Sequence, residues 1–418
     1  MEAKLNSAFE ASVKEKKVPA VGAIALDKTG KVIYSGAYGK TSIEGGAAFT
    51  TSTPFLAWSL TKLVVSIAAL QLKEQGKLQL DDLVEKYVPQ IKDPKILEGF
   101  NDDGSPKLRE AKNKPTILNL LTHTSGLSYD WCNKNLFQYR LATNMAPGLY
   151  NTGAPEPFFD SPLDSEPGTK FEYGISIDIL GLVVEAVSKQ RLPAYLKEHI
   201  FDPLGMTKTG PQPALNAEGV DEFLLVHMRL PDGSLVADPL KLPADPVIFG
   251  GGHFLYSCME DYVSKFLLTV LNHGTHPATG VTILQKKTSE DYVFREHVVS
   301  SVGASIDGVG VVKSMIGQVC NDGELLPGLK KSWSCAFMMN LEDSPSGRKA
   351  GSGAWCGFGN IYYWVDPTEG ITGMLVTETL PFLDPEPLRL FDDFERAVYG
   401  HSEAKEGDWR NSTSSPAA

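Results

Sequence analysis

Strand-like runs stand at both ends of this chain, and a long, mostly helical stretch separates them. Val21 to Leu26 and Lys31 to Tyr38 flank Asp27-Lys28-Thr29-Gly30, a pattern that reads as a hairpin. Past residue 300 strand character returns in Gly308 to Met315, Ser332 to Met339, Asn360 to Val365 and Gly373 to Thr377. The fold class this predicts is α+β: an antiparallel sheet built from both termini and flanked by helices, carrying an inserted, mainly helical domain. Residues 1–60 and 300–400 would form the sheet domain, residues 61–299 the insertion, and residues 401–418, polar and rich in Ser, a disordered tail. The cleft between sheet and insertion is the natural place for a site.

Local patterns fill in this outline. Residues 2 to 17 carry Leu5, Phe9 and Val13 at spacings of four, the mark of an amphipathic helix. A strongly apolar helix is predicted from Thr61 to near Gly76, and a closing helix over Pro387 to Tyr399. Gly99 to Pro115, rich in Gly, Asp, Lys and Pro, reads as a surface excursion.

Charge and cysteine usage remove several function classes. With 39 basic against 51 acidic residues the net charge is -12, the wrong sign for a nucleic-acid footprint. The N-terminus lacks an apolar signal core, and the longest apolar run, Leu63 to Leu72, is too short for a bilayer. No membrane partner is expected, and a cytoplasmic location is. The five cysteines show no C-x-x-C pair, which fits reduced thiols, and the scattered histidines offer only His273 and His276 as a close pair. No metal and no cofactor is predicted.

The segment Ala57-Trp58-Ser59-Leu60-Thr61-Lys62 opens the most apolar helix in the chain. Residues at i and i+3 share a helix face, so Ser59 and Lys62 would project together. A serine hydroxyl needs a base to become a nucleophile, and lysine serves once burial lowers its pKa. The same spacing recurs at Ser346-Gly-Arg-Lys349 and Ser402-Glu-Ala-Lys405, but neither has an apolar helix behind it.

With its neighbours, this segment resembles the serine β-lactamase/penicillin-binding-protein clan, in its class C-like branch. The shared motifs are Leu121-Thr122-His123-Thr124-Ser125-Gly126-Leu127, Pro167-Gly168-Thr169-Lys170-Phe171-Glu172-Tyr173 and Gly250-Gly251-Gly252. Ile96-Leu97-Glu98-Gly99-Phe100, Leu108-Arg109-Glu110 and Tyr173-Gly174 with Asp178 and Gly181 are similar to the fungal transesterases of the lovastatin acyltransferase type. Family VIII esterases of the clan are also close. The resemblance implies a β-lactamase/transpeptidase-like fold and makes Tyr173 the third catalytic residue. Its phenol would relay the proton from Ser59, with a pKa lowered by a nearby ammonium. It also implies an oxyanion hole from the backbone N–H groups of Ser59 and Phe358, the latter following Trp355-Cys356-Gly357.

Two departures steer the expected substrate. Trp355-Cys356-Gly357 stands where penicillin-recognising members carry Lys-Thr-Gly, and an indole cannot pair with a drug carboxylate. Ile175 replaces the amide that true lactamases hold two residues after the tyrosine. Trp355, Cys356, Gly357 and Ile175 are therefore predicted to line an apolar substrate pocket, with the loop Tyr150 to Phe159 beside them. The reading is a serine acyltransferase that moves an acyl group from a thioester or ester, through a Ser59 acyl-enzyme, to an alcohol of a small hydrophobic metabolite. A carboxylesterase using the same residues is the alternative; a β-lactamase or D-Ala peptidase, and a non-catalytic binding protein, fit less well. An acyl carrier protein is a further candidate partner. Lys107, Arg109, Lys112 and Lys114 form either its basic docking patch or a solvated charged loop.

Overall fold

Eight strands form the central sheet of the computed structural model, which describes residues 1–401 apart from 218, 221 and 239. They are β1 (Ala20–Asp27), β2 (Val32–Ser42), β3 (Gly45–Ala48), β4 (Lys331–Trp333), β5 (Met338–Asn340), β6 (Gly353–Gly357), β7 (Ile361–Asp366) and β8 (Ile371–Val376). Their order is β4-β5-β6-β7-β8-β1-β2-β3, every neighbour antiparallel. The N-terminal hairpin thus closes onto the C-terminal strands, with Gly22 opposite Val376 and Asp27 opposite Ile371. This is the α+β sheet from both ends that the sequence predicts. The expected tail lies, from residue 402 on, outside the described residues.

Alternation along β1 explains why one strand can be buried throughout. Val21, Ala23 and Ala25 face one side of the sheet, while Ala20, Ile24 and Leu26 face the other. On the outer face they meet α1 (Glu2–Lys14) and a C-terminal helix over Pro385–Val398, through Leu5, Phe9, Trp364, Leu390 and Phe394. Trp364 is fully buried there, so truncating it to Ala would cost about 3–5 kcal/mol.

The inner face packs on α2 (Thr61–Glu74), α3 (Ser176–Ser188) and the helical turns Glu260–Leu267 and Leu268–Leu271. α2 is buried from Thr61 through Leu72 because its sequence is apolar on all sides. It stops at Gly76, whose φ of 69° lets the chain turn left-handed and satisfy the last carbonyls. Hereafter the helix over Pro385–Val398 is α4.

Three expectations change. Gly99 to Pro115 is no open excursion: Lys95–Phe100 and Pro106–Glu110 pair as a hairpin. Ser332 to Met339 is not one strand, because a turn centred on Ser334, whose hydroxyl accepts from Ala336 and Phe337 N–H, splits it into β4 and β5. Gly308 to Met315 contributes only Val311–Val312, paired with Gly323–Glu324. Within residues 61–299, Val226–Arg229 and Leu235–Asp238 pair as short strands. No helix among the described residues is long and apolar enough to cross a membrane.

Candidate active site

A kink delivers Ser59 to the cleft. The short strand Phe55–Leu56 pairs with Tyr256–Ser257, and a 3₁₀ turn, Trp58–Leu60, leads into α2. Trp58 has φ 48°, a left-handed conformation that a bulky residue adopts only when its surroundings impose it. Lys62, in the first turn of α2, follows on the same side. Its Nζ lies 3.1 Å from Ser59 Oγ.

Three oxygens surround the Lys62 amine: Ser59 Oγ at 3.1 Å, the Tyr129 hydroxyl at 3.1 Å and the Gly252 carbonyl at 3.0 Å. The Tyr129 hydroxyl donates to Asp178 Oδ2 at 3.0 Å, so its oxygen accepts from the amine. A neutral amine has two N–H donors and one lone pair. Two donors for Gly252 and Tyr129 leave the lone pair facing Ser59. That is the hydrogen count a general base requires. Burial brings Lys62 down from 10.5 to about 8, against the opposing pull of the Asp178 charge.

Asp178 sits in the first turn of α3 and is fully buried. Burial would push its carboxyl up, but His253, whose Nδ1 is 3.2 Å from Oδ1, together with the Lys62 charge and the Gly252 N–H, holds it below the usual range. The triple glycine makes this crowding possible. A Cβ on Gly252 would lie 2.7 Å from Asp178 Oδ2 and 2.8 Å from both Lys62 Nζ and the Tyr129 hydroxyl. One on Gly251 would lie 2.5 Å from the Ile177 carbonyl.

Tyr173 reaches Ser59 from the loop before α3. Its hydroxyl donates to Ser59 Oγ at 2.8 Å and accepts from Trp355 Nε1 at 3.1 Å. Gly174 behind it must lack a side chain, since a Cβ would lie 2.3 Å from Ser128 Cα. The expected lowering of the phenol does not occur. Burial pushes Tyr173 well above its ordinary value, and the hydrogen bond with Ser59 only opposes this. Tyr173 is a neutral hydrogen-bond donor here. His123 packs its ring 5.0 Å from that of Tyr173, and burial followed by the Lys62 charge lowers its pKa.

Gly353–Gly357 forms β6, with Trp355 opposite Tyr363 on β7. Trp355 lies on the inner face, its ring edge-on to Trp333 at 4.6 Å. Gly357 ends β6 against the Ser59 turn, where a Cβ would meet the Ala57 carbonyl at 3.0 Å and Leu60 at 3.1 Å. Phe358 follows, its ring 5.7 Å from Trp58 and 5.1 Å from Trp131. Cys356 also lines the cleft, with a thiol that burial pushes up. A thiol so held is a poor second nucleophile.

The cleft has a volume of about 390 Å³ and includes Ser59, Tyr173, Trp355 and Phe358. Two expected wall elements are elsewhere. Ile175 is 0% exposed within the main core, because the turn that opens α3 directs it inward. In the loop Tyr150 to Phe159, Tyr150 and Phe158 pack on each other and Tyr150 on Tyr129, outside the cleft wall. Trp131, Phe382, Val311 and Val312 supply the apolar wall instead. Of the basic cluster, Arg109 pairs with Glu98 at 2.8 Å and Glu166 at 2.5 Å, and Lys114 with Glu85 at 2.7 Å. Half of that patch is neutralised at home.

Sequence reasoning gave no role to Tyr129, Asp178, His253 or the Gly252 carbonyl. Asp178 was visible as a motif position, and the glycine triplet as a motif, but a lone tyrosine and a carbonyl leave no pattern.

Comparison with known proteins adds to this geometry. The Beta-lactamase family profile matches residues 5–396. The monacolin J acid methylbutanoyltransferase of Aspergillus terreus is 29% identical, over 94% of this chain and 95% of its own. The lovastatin esterase of Penicillium rubens is 28% identical, over 88% of this chain and 91% of its own. Among solved structures, a LovD6 mutant of simvastatin synthase from Aspergillus terreus superposes with a TM-score of 0.79 at 27% identity, covering 95% of this chain and 96% of that one.

Proposed function

Because the chain belongs to the Beta-lactamase family, and is an acyltransferase or esterase of that family, we propose that Ser59 is its nucleophile, Lys62 the base and Tyr173 the proton relay. The observation that carries this reading is the placement of Ser59 Oγ 3.1 Å from a lysine brought down to about 8 and 2.8 Å from a neutral phenol. Neutral Lys62 takes the Ser59 proton as Oγ attacks the carbonyl of an ester or thioester. The N–H groups of Ser59 and Phe358 then hold the oxyanion. The leaving thiol or alcohol departs with a proton handed over through Tyr173, which recovers one from Lys62. An acceptor alcohol reverses these transfers and carries the acyl group away.

The proposed substrates are a short acyl thioester or ester and the hydroxyl of a small hydrophobic metabolite, in a cytoplasmic setting of secondary metabolism. Trp131, Phe358 and Phe382 in the cleft wall suit an apolar acceptor. A relative named as a methylbutanoyltransferase supports transfer; a relative named as an esterase supports hydrolysis by the same residues. Anionic β-lactams fit poorly, since the Trp355 N–H is already engaged by Tyr173 and brings no cation. For a carrier-protein donor the basic cluster offers little free charge, since Arg109 and Lys114 are ion-paired within the chain.

Intact mass spectrometry after incubation with butyryl and 2-methylbutyryl thioesters tests the reading. An adduct of one acyl mass is expected on the wild type and none on Ser59→Ala. Chasing with alcohols against water then separates transferase from esterase. An adduct that survives Ser59→Ala would sink the assignment.

A further inference from the structure

Glu378 is an acid with 0% exposure that the mechanism above does not use. Its Oε2 accepts from the Trp58 indole at 3.0 Å, its Oε1 has no partner, and the nearby Leu56 backbone N–H favours the charged form. The backbone around it is unusual. Trp58, Asn360 and Glu378, none of them glycine, have φ of 48°, 55° and 52°. Such conformations persist where surrounding structure over-determines them, and they gather at functional sites.

The three residues belong to one assembly. Asn360 Nδ2 donates to the Thr379 and Pro381 carbonyls at 2.6 and 2.7 Å, and Thr379 N–H donates to the Gly359 carbonyl at 3.0 Å. The segment around Glu378 is thereby fastened to the turn that carries Phe358. The carboxyl then reaches across to the turn that carries Ser59. Gly359 lies between, and a Cβ there would be 2.2 Å from Glu378 Oε2 and 3.0 Å from Trp58 Nε1. No side chain fits that gap.

We propose that Glu378 is a positioning residue for acyl transfer: it clamps the Leu56–Trp58 turn to the Gly357–Asn360 turn and so fixes the spacing of the Ser59 and Phe358 N–H groups. The inference rests on the reading that Ser59 is the nucleophile and that those groups hold the oxyanion. Burial is the dominant influence on the Glu378 carboxyl and pushes it well above the ordinary range, so it acts as a neutral acceptor. A carboxamide of the same shape can take its place. A hydrocarbon cannot.

Kinetics of p-nitrophenyl butyrate turnover and of Ser59 phosphonylation by a fluorophosphonate test the clamp. Glu378→Gln is expected to keep kcat within about threefold, while Glu378→Leu loses about 30-fold or more in kcat with KM nearly unchanged, a fraction of the 10²–10³ seen when one oxyanion donor is lost outright. Trp58→Phe, which keeps the ring and removes the N–H, should lose about tenfold in kcat, and adding it to Glu378→Leu should cost little more. Wild-type kcat in Glu378→Leu, or a Glu378→Gln as poor as Glu378→Leu, would overturn the proposal. If Glu378→Leu does not fold, Trp58→Phe decides alone: an undiminished kcat overturns the clamp. Failure of the probe to label wild-type Ser59 would instead sink the underlying reading, whereas equal labelling of wild type and Glu378→Leu would sink only the clamp.

Discussion

Asp178 and Glu378 are both fully buried acids beside the turn that carries Ser59 and Lys62, and the protein holds them in opposite states. The Asp178 region offers a histidine, a lysine, a backbone N–H and a tyrosine hydroxyl, and the carboxyl stays ionised below its usual range. The Glu378 region offers an indole and a backbone N–H, both neutral, and the carboxyl is pushed well up. Burial is the same. Partner chemistry differs. One region supplies the negative charge that a lysine at the base of the mechanism feels; the other supplies shape without charge, next to the place where an oxyanion would form.

The sharpest way to break this contrast is to remove the cation that Asp178 faces. Lys62→Met should lower kcat by about 10³-fold or more, measured on an ester such as p-nitrophenyl butyrate, because the proposed base is gone and Asp178 is left uncompensated. Next comes Gly252→Ala. Its Cβ would meet Asp178, Lys62 and Tyr129 at 2.7–2.8 Å, so kcat should fall about 10²-fold, with a lower melting temperature in a thermal scan.

Asp178→Asn sharpens the comparison through pH. The Asp178 charge raises Lys62, so removing it should move the rise of kcat/KM, centred near 8, to lower pH, at a cost of about tenfold in the plateau. Stability should respond with opposite signs at the two acids. The Asp178 carboxyl is depressed in the folded state, so it contributes stability above about pH 4 that is lost as pH falls through its folded value. Asp178→Asn should therefore be destabilising at pH 7 and converge on wild type in acid. The Glu378 carboxyl is raised, so wild type loses stability relative to Glu378→Gln by about 1.4 kcal/mol per pH unit between its unfolded value, about 4.3, and its folded one. Urea unfolding across pH 2 to 8 reads both slopes, the Asp178 one below about pH 4 and the Glu378 one above it; parallel slopes would erase the distinction.

The smallest effect is expected far from both acids. Lys107→Glu with Lys112→Glu should change kcat/KM for free and carrier-bound thioesters by less than about twofold, since the neighbouring Arg109 and Lys114 are spent on ion pairs within the chain.

What the sequence made legible follows from how local the signal is. Ser59 and Lys62 share a helical spacing, and β1 is a short, nearly continuous apolar run next to a turn signal, so both could be read directly. Tyr173 was reached through a motif. Its lack of a lowered pKa was not, because the aromatic packing that buries it comes from Trp333, Trp355 and His123, in three separate segments. Ile175 was misplaced for a related reason: at the turn opening α3, one change in backbone direction decides between cleft and core. Tyr129 and the Gly252 carbonyl could not be found at all. Their meaning lies in distances to Lys62 across 67 and 190 residues of chain.

Indole rings crowd Ser59 from several sides. Trp58 precedes it, Trp355 hydrogen-bonds the phenol beside it, Trp333 leans on Trp355, and Trp131 faces it across Phe358, four of the six in the sequence. Placing an acyl chain on Ser59 must change the polarity and quenching felt by that group, while Trp364, on the far side of the sheet, stays an unmoved reference. The enzyme thus carries its own fluorophore, and stopped-flow emission should resolve loading and discharge of the ester without any dye.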